Sequence, residues 1–368
     1  MAEDNITCSA GAYGPEIPAP ELAYLPRDPK SYRPSIGLVG CGGITAHHLA
    51  AYKAAKYRVV ALCDVDRAKA ESRRKQFFPK ATVYTDYGDL LKHEGIEVVD
   101  TATHPEVRGP IIKAALRAGK HVLSQKPFAL DLDKGQKLVD LADRHKVKLA
   151  VNQNGRWAPH FSYVRNVVAA GLIGDVMGAH LAVHWDHGWT AGTVFDKIRH
   201  LILYDFAIHW FDMLCCIMGD RPPRRVYASM THTSTQKAKP PLLAQALVEY
   251  KGAQATLVFD ADTRFGARDS TVVTGTKGTL TCSGPDLNRQ SVTLYTEEGF
   301  ATPRLEGTWF TNGFHGTMGE LLCAIEEDRE PSNSALNNLR GLALCFAATA
   351  SAETHRPKKP GQILRMNK

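Results

Sequence analysis

No stretch of the 368 residues approaches the ~18 consecutive apolar residues that a membrane span needs, so no membrane partner is expected. Paired CxxC spacings are also missing. The eight cysteines (Cys8, Cys41, Cys63, Cys215, Cys216, Cys282, Cys323, Cys345) sit mostly inside apolar runs, where a thiol behaves as a small hydrophobe. Neither a zinc site nor a disulfide framework is indicated, and a reducing cytoplasm suits them. No basic segment followed by an apolar stretch opens the chain, so no signal peptide is expected. Charge of one sign is scarce: 45 Lys and Arg stand against 38 Asp and Glu, and the net +7 is scattered. The densest basic group, Arg356, Lys358, Lys359 and Arg365, is short and has no interleaved aromatics. It reads as a solvated tail, and no nucleic-acid partner is expected.

What remains is a globular composition, 44% hydrophobic and 23% charged, at a length comfortable for two cores. Residues 1–34 hold six of the twenty prolines and show no helix or strand period. They read as an extended arm, either lying on a surface, loose in solvent, or docked on a neighbouring subunit. From Ser35, the apolar runs Ile36–Val39, Arg58–Cys63, Ile96–Ala102, His121–Ser124 and Val147–Val151 alternate with helical-period segments. That alternation predicts βαβ units and a doubly wound parallel sheet over 35–153. In 154–368 the pattern changes. Met177–Trp185, Arg225–His232, Leu243–Asp260, Ser270–Cys282 and Ser291–Thr296 read as strands that follow one another directly, which predicts an antiparallel sheet and an α+β domain. Tyr204–Met218, Gly316–Glu327 and Asn337–Thr354 read as helices.

The first strand runs into Gly40-Cys41-Gly42-Gly43-Ile44-Thr45 and then a helix. Such a turn lets the backbone approach a pyrophosphate at the helix N-terminus. Asp64, at the end of the second strand, is placed to accept the adenosine ribose hydroxyls and to repel a 2′-phosphate, which favours NAD over NADP, with Arg67 beside it as a counterweight.

With that turn in hand, Ala118-Gly119-Lys120-His121-Val122-Leu123-Ser124-Gln125-Lys126-Pro127 and Asp205-Phe206-Ala207-Ile208-His209-Trp210-Phe211-Asp212 resemble two motifs of the glucose-fructose oxidoreductase/inositol dehydrogenase (Gfo/Idh/MocA) family. The resemblance covers residues 35 to about 360. It implies an α/β chain, a Rossmann domain followed by an α+β domain with a large open, mostly antiparallel sheet. It also implies that Lys126, Asp205 and His209 face the nicotinamide and the reacting carbinol, and that Asn152-Gln153-Asn154-Gly155-Arg156-Trp157 borders the nicotinamide. Gln125 stands where relatives carry glutamate, and Arg108 follows Thr103-His104-Pro105 where they often carry histidine.

The chemistry of alcohol oxidation suits these residues. Histidine is a natural base at working pH, Asp205 and His209 are spaced to share a helix face, and an ammonium at Lys126 would stabilise a developing alkoxide. The cofactor set is then Gly40, Gly42, Gly43, Ile44, Asp64, Arg67, Thr103, His104, Gln125, Lys126, Asn154 and Trp157. The substrate set is Lys126, Arg156, Trp185, His187, Asp205 and His209. His184 to Trp189 reads equally as a platform for a sugar ring or as an aromatic strand end packed on its own loop. No metal is expected, because His184 and His187 have no second cluster to complete a ligand set.

These readings converge on an NAD-dependent oxidoreductase of a secondary alcohol on a sugar, cyclitol or sugar derivative. The alternatives are a redox-neutral glycosidase or isomerase with recycled NAD, and a non-catalytic regulator. A homodimer or homotetramer through the open sheet is expected, because Leu243, Ala246, Val248, Ala253 and Leu257 exceed what one covered face needs.

Overall fold

Strands buried on both faces build the first sheet, which is why each reads as an unbroken apolar run. The computed structural model of the chain describes residues 14–366; the first thirteen residues of the arm, including Cys8, lie outside the described residues. The sheet is built from β1 (Ser35–Val39), β2 (Arg58–Cys63), β3 (Thr82–Tyr84), β4 (Ile96–Thr101), β5 (His121–Gln125) and β6 (Leu149–Asn152). Its order is β3-β2-β1-β4-β5-β6 with all pairings parallel. Helices α1 (Thr45–Ala54), α2 (Arg67–Phe77), α3 (Tyr87–Leu91), α4 (Pro105–Arg117) and α5 (Leu132–His145) make the crossovers. The doubly wound reading therefore holds.

After α6 (Pro159–Ala169) comes a mixed, mostly antiparallel sheet of eight strands, in the order β14-β13-β12-β11-β7-β10-β9-β8. Central β7 (Val176–His184) pairs in parallel with β10 (Ala253–Asp260) and antiparallel with β11 (Arg268–Gly275). The others are β8 (Arg225–Thr231), β9 (Leu243–Tyr250), β12 (Gly278–Asp286), β13 (Arg289–Thr296) and β14 (Gly299–Ala301). Two expected strands are hairpins. Leu243–Asp260 breaks at Gly252, whose φ of +73° only glycine adopts without strain, and Ser270–Cys282 breaks between Gly275 and Gly278. Helices α7 (Ile208–Met218) and α9 (Ala335–Thr354) cover one face.

Helix α8 (Trp309–Glu326) starts seven residues earlier than the expected Gly316, because the Thr308 side chain caps it by accepting from Thr311 N. Although it comes from the C-terminal half, its Phe314, Met318, Leu321 and Leu322 share one core with Leu38 of β1 and with Leu49 and Tyr52 of α1. The chain thus returns to finish the first layer.

Residues 14–34 of the arm lie along their own chain. Ile17 N donates to Phe300 O, Tyr163 hydroxyl to Pro20 O, and Glu326 collects Lys30 N, Ser31 N, Ser31 Oγ and Tyr32 N. Arg27 pairs with Glu327. The apolar surplus assigned to the open sheet face needs a correction. Ala246, Val248 and Leu257 are buried on the covered side, so only Leu243 and Ala253 of that set keep any appreciable exposure.

Candidate active site

The glycine turn takes its shape from contacts that a side chain would prevent. Gly40 has φ +96°, and a Cβ there would stand 2.9 Å from the carbonyl of Ala102. At Gly42 and Gly43 a Cβ would meet only open space, so the missing side chains leave a cradle above the backbone. Ile44, the residue before α1, makes no side-chain cap, so no side chain covers the positive end of the helix where an anion would sit. Asp64 does more than await a ribose: Oδ2 accepts Cys41 N at 2.7 Å and Oδ1 accepts Asp66 N at 2.9 Å, tying β2 to the turn. Arg67 points away, 65% exposed and paired with Glu71. The base that reaches the turn is Arg73, whose Nη2 donates to Gly42 O at 3.0 Å. With Cys41, Ala68, Lys69 and Ser72 it lines a hollow of ≈ 300 Å³. The turn, the bare helix end and this hollow fit a dinucleotide.

Thr103, His104, Gln125 and Lys126 lie at the carboxyl ends of β4 and β5, the edge where doubly wound sheets bind ligands. Thr101 Oγ1, Thr103 Oγ1 and both amide atoms of Gln153 are buried there without partners. Unpaired buried polar atoms cost about 1–3 kcal/mol each, and a cluster of them at a crevice is what a ligand would satisfy. Arg108 holds this edge together. Fully buried, it donates to the main-chain oxygens of Thr103, Gln125 and Pro127, and burial pushes its guanidinium down to about 10.

Lys126 Nζ donates to Asp205 O at 2.7 Å and approaches Asp205 Oδ2 at 3.3 Å, with both side chains mostly buried. Asp205 does not sit on the helix expected for Tyr204–Met218. Residues Leu201–Phe206 wind as a π-helical turn and the α-helix begins at Ile208. Trp210 N and Phe211 N both turn to Ala207 O, and the Asp205 carbonyl accepts from Lys126. The Asp205 carboxylate is therefore turned to the lysine, and His209 Nδ1 is buried without a partner. Burial, then the Lys126 charge, hold His209 well below the usual histidine range, away from the working-pH value assumed for a free imidazole.

Aromatic rings continue from His209. Trp309 lies edge-on to it at 5.8 Å and stacks on Trp210 at 6.1 Å; Trp210 meets Trp185 at 5.8 Å, and Trp185 stacks on His187 at 5.6 Å. His187 also touches Phe206, the residue after Asp205, at 4.2 Å. Its Nδ1 is unpartnered and burial pushes its pKa down to about 4. Both readings of this segment are thus present: the rings pack on one another, and they leave unsatisfied polar atoms. Trp309 and Arg73 carry no local sequence signal for the site, because each comes from an element whose place beside it follows from tertiary packing.

Three expected site residues are committed elsewhere. Arg156 is buried and gives a two-pronged bond to Asp212 at 2.6 and 2.5 Å, with Asn337 Oδ1 at 2.7 Å, leaving nothing for a substrate. Trp157 is packed against Gly316 of α8, with the Arg165 guanidinium 5.3 Å from its ring. Asn154 is wedged under α8, where a Cβ at Gly313 would stand 2.7 Å from its oxygen.

The profile of an oxidoreductase family with an NAD-binding Rossmann fold (GFO/IDH/MocA) matches residues 35–153, and that of the GFO/IDH/MocA C-terminal domain matches 161–281. A D-apiose dehydrogenase of Paraburkholderia graminis is 27% identical over 87% of this chain and 88% of its own. An inositol 2-dehydrogenase of Rhizobium meliloti is 26% identical over 87% of this chain and 97% of its own. The crystal structure of an Agrobacterium radiobacter oxidoreductase, in complex with NAD+, L-tartaric acid and magnesium, shares the fold. Its TM-score is 0.79 at 22% identity, covering 90% of this chain and all of that one.

Proposed function

The chain belongs to the GFO/IDH/MocA family of NAD-binding oxidoreductases, and on that premise we propose that it moves hydride between nicotinamide and a secondary alcohol of a sugar, cyclitol or sugar derivative. The relatives named for apiose and inositol support the substrate class. The observation that carries the reading is the buried Lys126–Asp205 pair beside the unpartnered His209 at the carboxyl edge of the parallel sheet.

NAD, when bound, supplies the hydride acceptor; the protein supplies geometry and charge. Gly40, Gly42, Gly43 and the start of α1 would hold its phosphates, and Asp64 its adenosine ribose. Lys126 places an ammonium where an alkoxide develops, and its two contacts to Asp205 keep that ammonium from swinging into solvent. His209, held neutral by burial and by Lys126, is in the form that accepts the hydroxyl proton. The tryptophan faces of Trp185 and Trp309 offer apolar walls for the C–H face of a ring, with His187 Nδ1 free for a hydroxyl.

The test is a panel of sugars, cyclitols and glycosides incubated with NAD, followed by NADH absorbance and product chromatography. Stoichiometric NADH with a ketone product is expected. Cleavage of a glycoside without net NADH would replace this reading with the redox-neutral one.

A further inference from the structure

A buried chain of hydrogen bonds ends on the main chain of Lys126, and the direction of every link is determined. Lys126 N can only donate, and Gln125 Oε1 accepts it at 2.6 Å. That orients the Gln125 amide, so its Nε2 is the donor 2.9 Å from His48 Nε2. With Nε2 accepting, the ring proton of His48 is on Nδ1, which donates to Asp100 Oδ2 at 2.7 Å. The same oxygen accepts the Tyr52 hydroxyl at 2.7 Å. Asn152 Nδ2 stands 3.5 Å from His48 Nε2, and its Oδ1 is held by Thr317 Oγ1 at 3.0 Å. His48, Asp100 and Asn152 have no exposed surface, and the Phe314 ring closes over the imidazole at 4.2 Å.

We propose that His48 is a positioning residue for Lys126, linking the first turn of α1, just behind the phosphate-binding glycines, to the strand end that carries the lysine. The proposal rests on the reading of Lys126 as the group that stabilises the alkoxide. An ammonium is aimed by the backbone beneath it, and a displacement of ~1 Å at a reacting centre can cost about 10²-fold in rate. The link also accounts for glutamine at 125. A carboxylate there could accept Lys126 N but could not donate to His48 Nε2. The ring would need protons on both nitrogens, wedged between two carboxylates in a fully buried site. Gln125 and His48 are a matched donor and acceptor.

The test uses the full chain with NAD and reads amide exchange at Lys126 by fragment mass spectrometry, alongside NAD affinity and turnover of an alcohol from the panel. His48→Leu removes both bonds. It is expected to speed exchange at the Lys126 amide at least tenfold and to lower kcat at least tenfold, with NAD affinity within threefold of the parent. His48→Gln, which keeps one acceptor and one donor at similar reach, should recover most of both. If His48→Leu does not melt cooperatively, His48→Asn carries the same readout, since it can still satisfy Asp100 but falls short of Gln125. Unchanged exchange at Lys126 in a folded His48→Leu or His48→Asn protein would overturn the proposal. Failure of the Lys126 assignment itself shows separately, as full turnover in Lys126→Met.

Discussion

Lys126 holds Asp205 by its main-chain oxygen more closely than by its carboxylate, 2.7 against 3.3 Å. The π-helical turn at Leu201–Phe206 makes that carbonyl available, and the pair is a fixed feature of the edge rather than a mobile surface contact. An ammonium so held acts on the transition state more than on ground-state binding. Lys126→Met is expected to lower kcat by about 10²–10⁴-fold, the span typical of losing one positioned charge or proton-transfer group. NAD affinity measured by fluorescence titration should stay within threefold. Lost NAD affinity with normal saturated turnover would remove the assignment.

Asp64 serves the turn and the cofactor together. Its replacement by alanine strips the acceptor from Cys41 N and from Asp66 N, so a stability loss of about 1–2 kcal/mol should accompany weaker NAD binding. NADP binding should weaken less than NAD, because the repelling carboxylate is gone while Arg73 remains at the turn. Chemical denaturation and cofactor titration on the same protein measure both effects. A preference of the parent for NADP would contradict the role given to Asp64.

The parallel sheet and its glycine turn were legible because both are local. Strands buried on two faces read as apolar runs, and Gly40 to Gly43 sit where strand turns to helix. Lys126, Asp205 and His209 were reached through motif resemblance, and the structure brings them together. Arg156 shows the limit. Its partner Asp212 lies 56 residues away, and nothing in the local pattern separates a buried ion pair from a substrate contact. The return of α8 to the first core, the π-helical turn before His209 and the arm's docking on Glu326 are equally non-local, set by packing that no single segment encodes.

That pair gives a stability prediction. Arg156→Met should destabilise by about 3–5 kcal/mol, because it leaves Asp212 buried and uncompensated. Arg156→Met with Asp212→Leu should recover a large part of the loss. A substrate-binding arginine would instead raise KM in a protein of normal stability, so urea denaturation and KM together decide between the two roles.

Asp269 gives stability a pH dependence. It is buried on β11 facing the Trp185 indole, and burial, then the charge of Asp286, push its pKa up to about 7 from 3.8. Gln290 Nε2 is 3.4 Å from Oδ2, and Cys282 lies alongside. The folded state keeps the proton that the unfolded chain releases near pH 4. Between those values the unfolded state binds fewer protons, and stability falls as pH rises towards 7. Asp269→Asn removes this slope. Relative to the parent it should gain stability above pH 7, on the order of 2–4 kcal/mol, and gain nothing below pH 4. Parallel pH–stability curves for the two proteins would show that the carboxyl is not the source.

The open face of the eight-stranded sheet leads to the last prediction, that copies of the chain associate through it. Register places Tyr227, Leu247, Thr256, His180 and Val272 in one row across five strands. Tyr227 is 46% and Leu247 38% exposed, and His180 Nδ1 is paired with Thr256 Oγ1 at 2.7 Å. This mixture of apolar and hydroxyl side chains resembles an ordinary protein interface more than a charged, solvated sheet face. Two such faces meeting about a two-fold axis present the same row to each other, the arrangement found in most soluble oligomers. Leu247→Arg places two cations against one another at the centre of that contact, and Tyr227→Glu does the same with anions. Light scattering at micromolar concentration should give a multiple of the chain mass for the parent and a lower mass for either variant. A parent that stays at the monomer mass as concentration rises would show that the face is solvated.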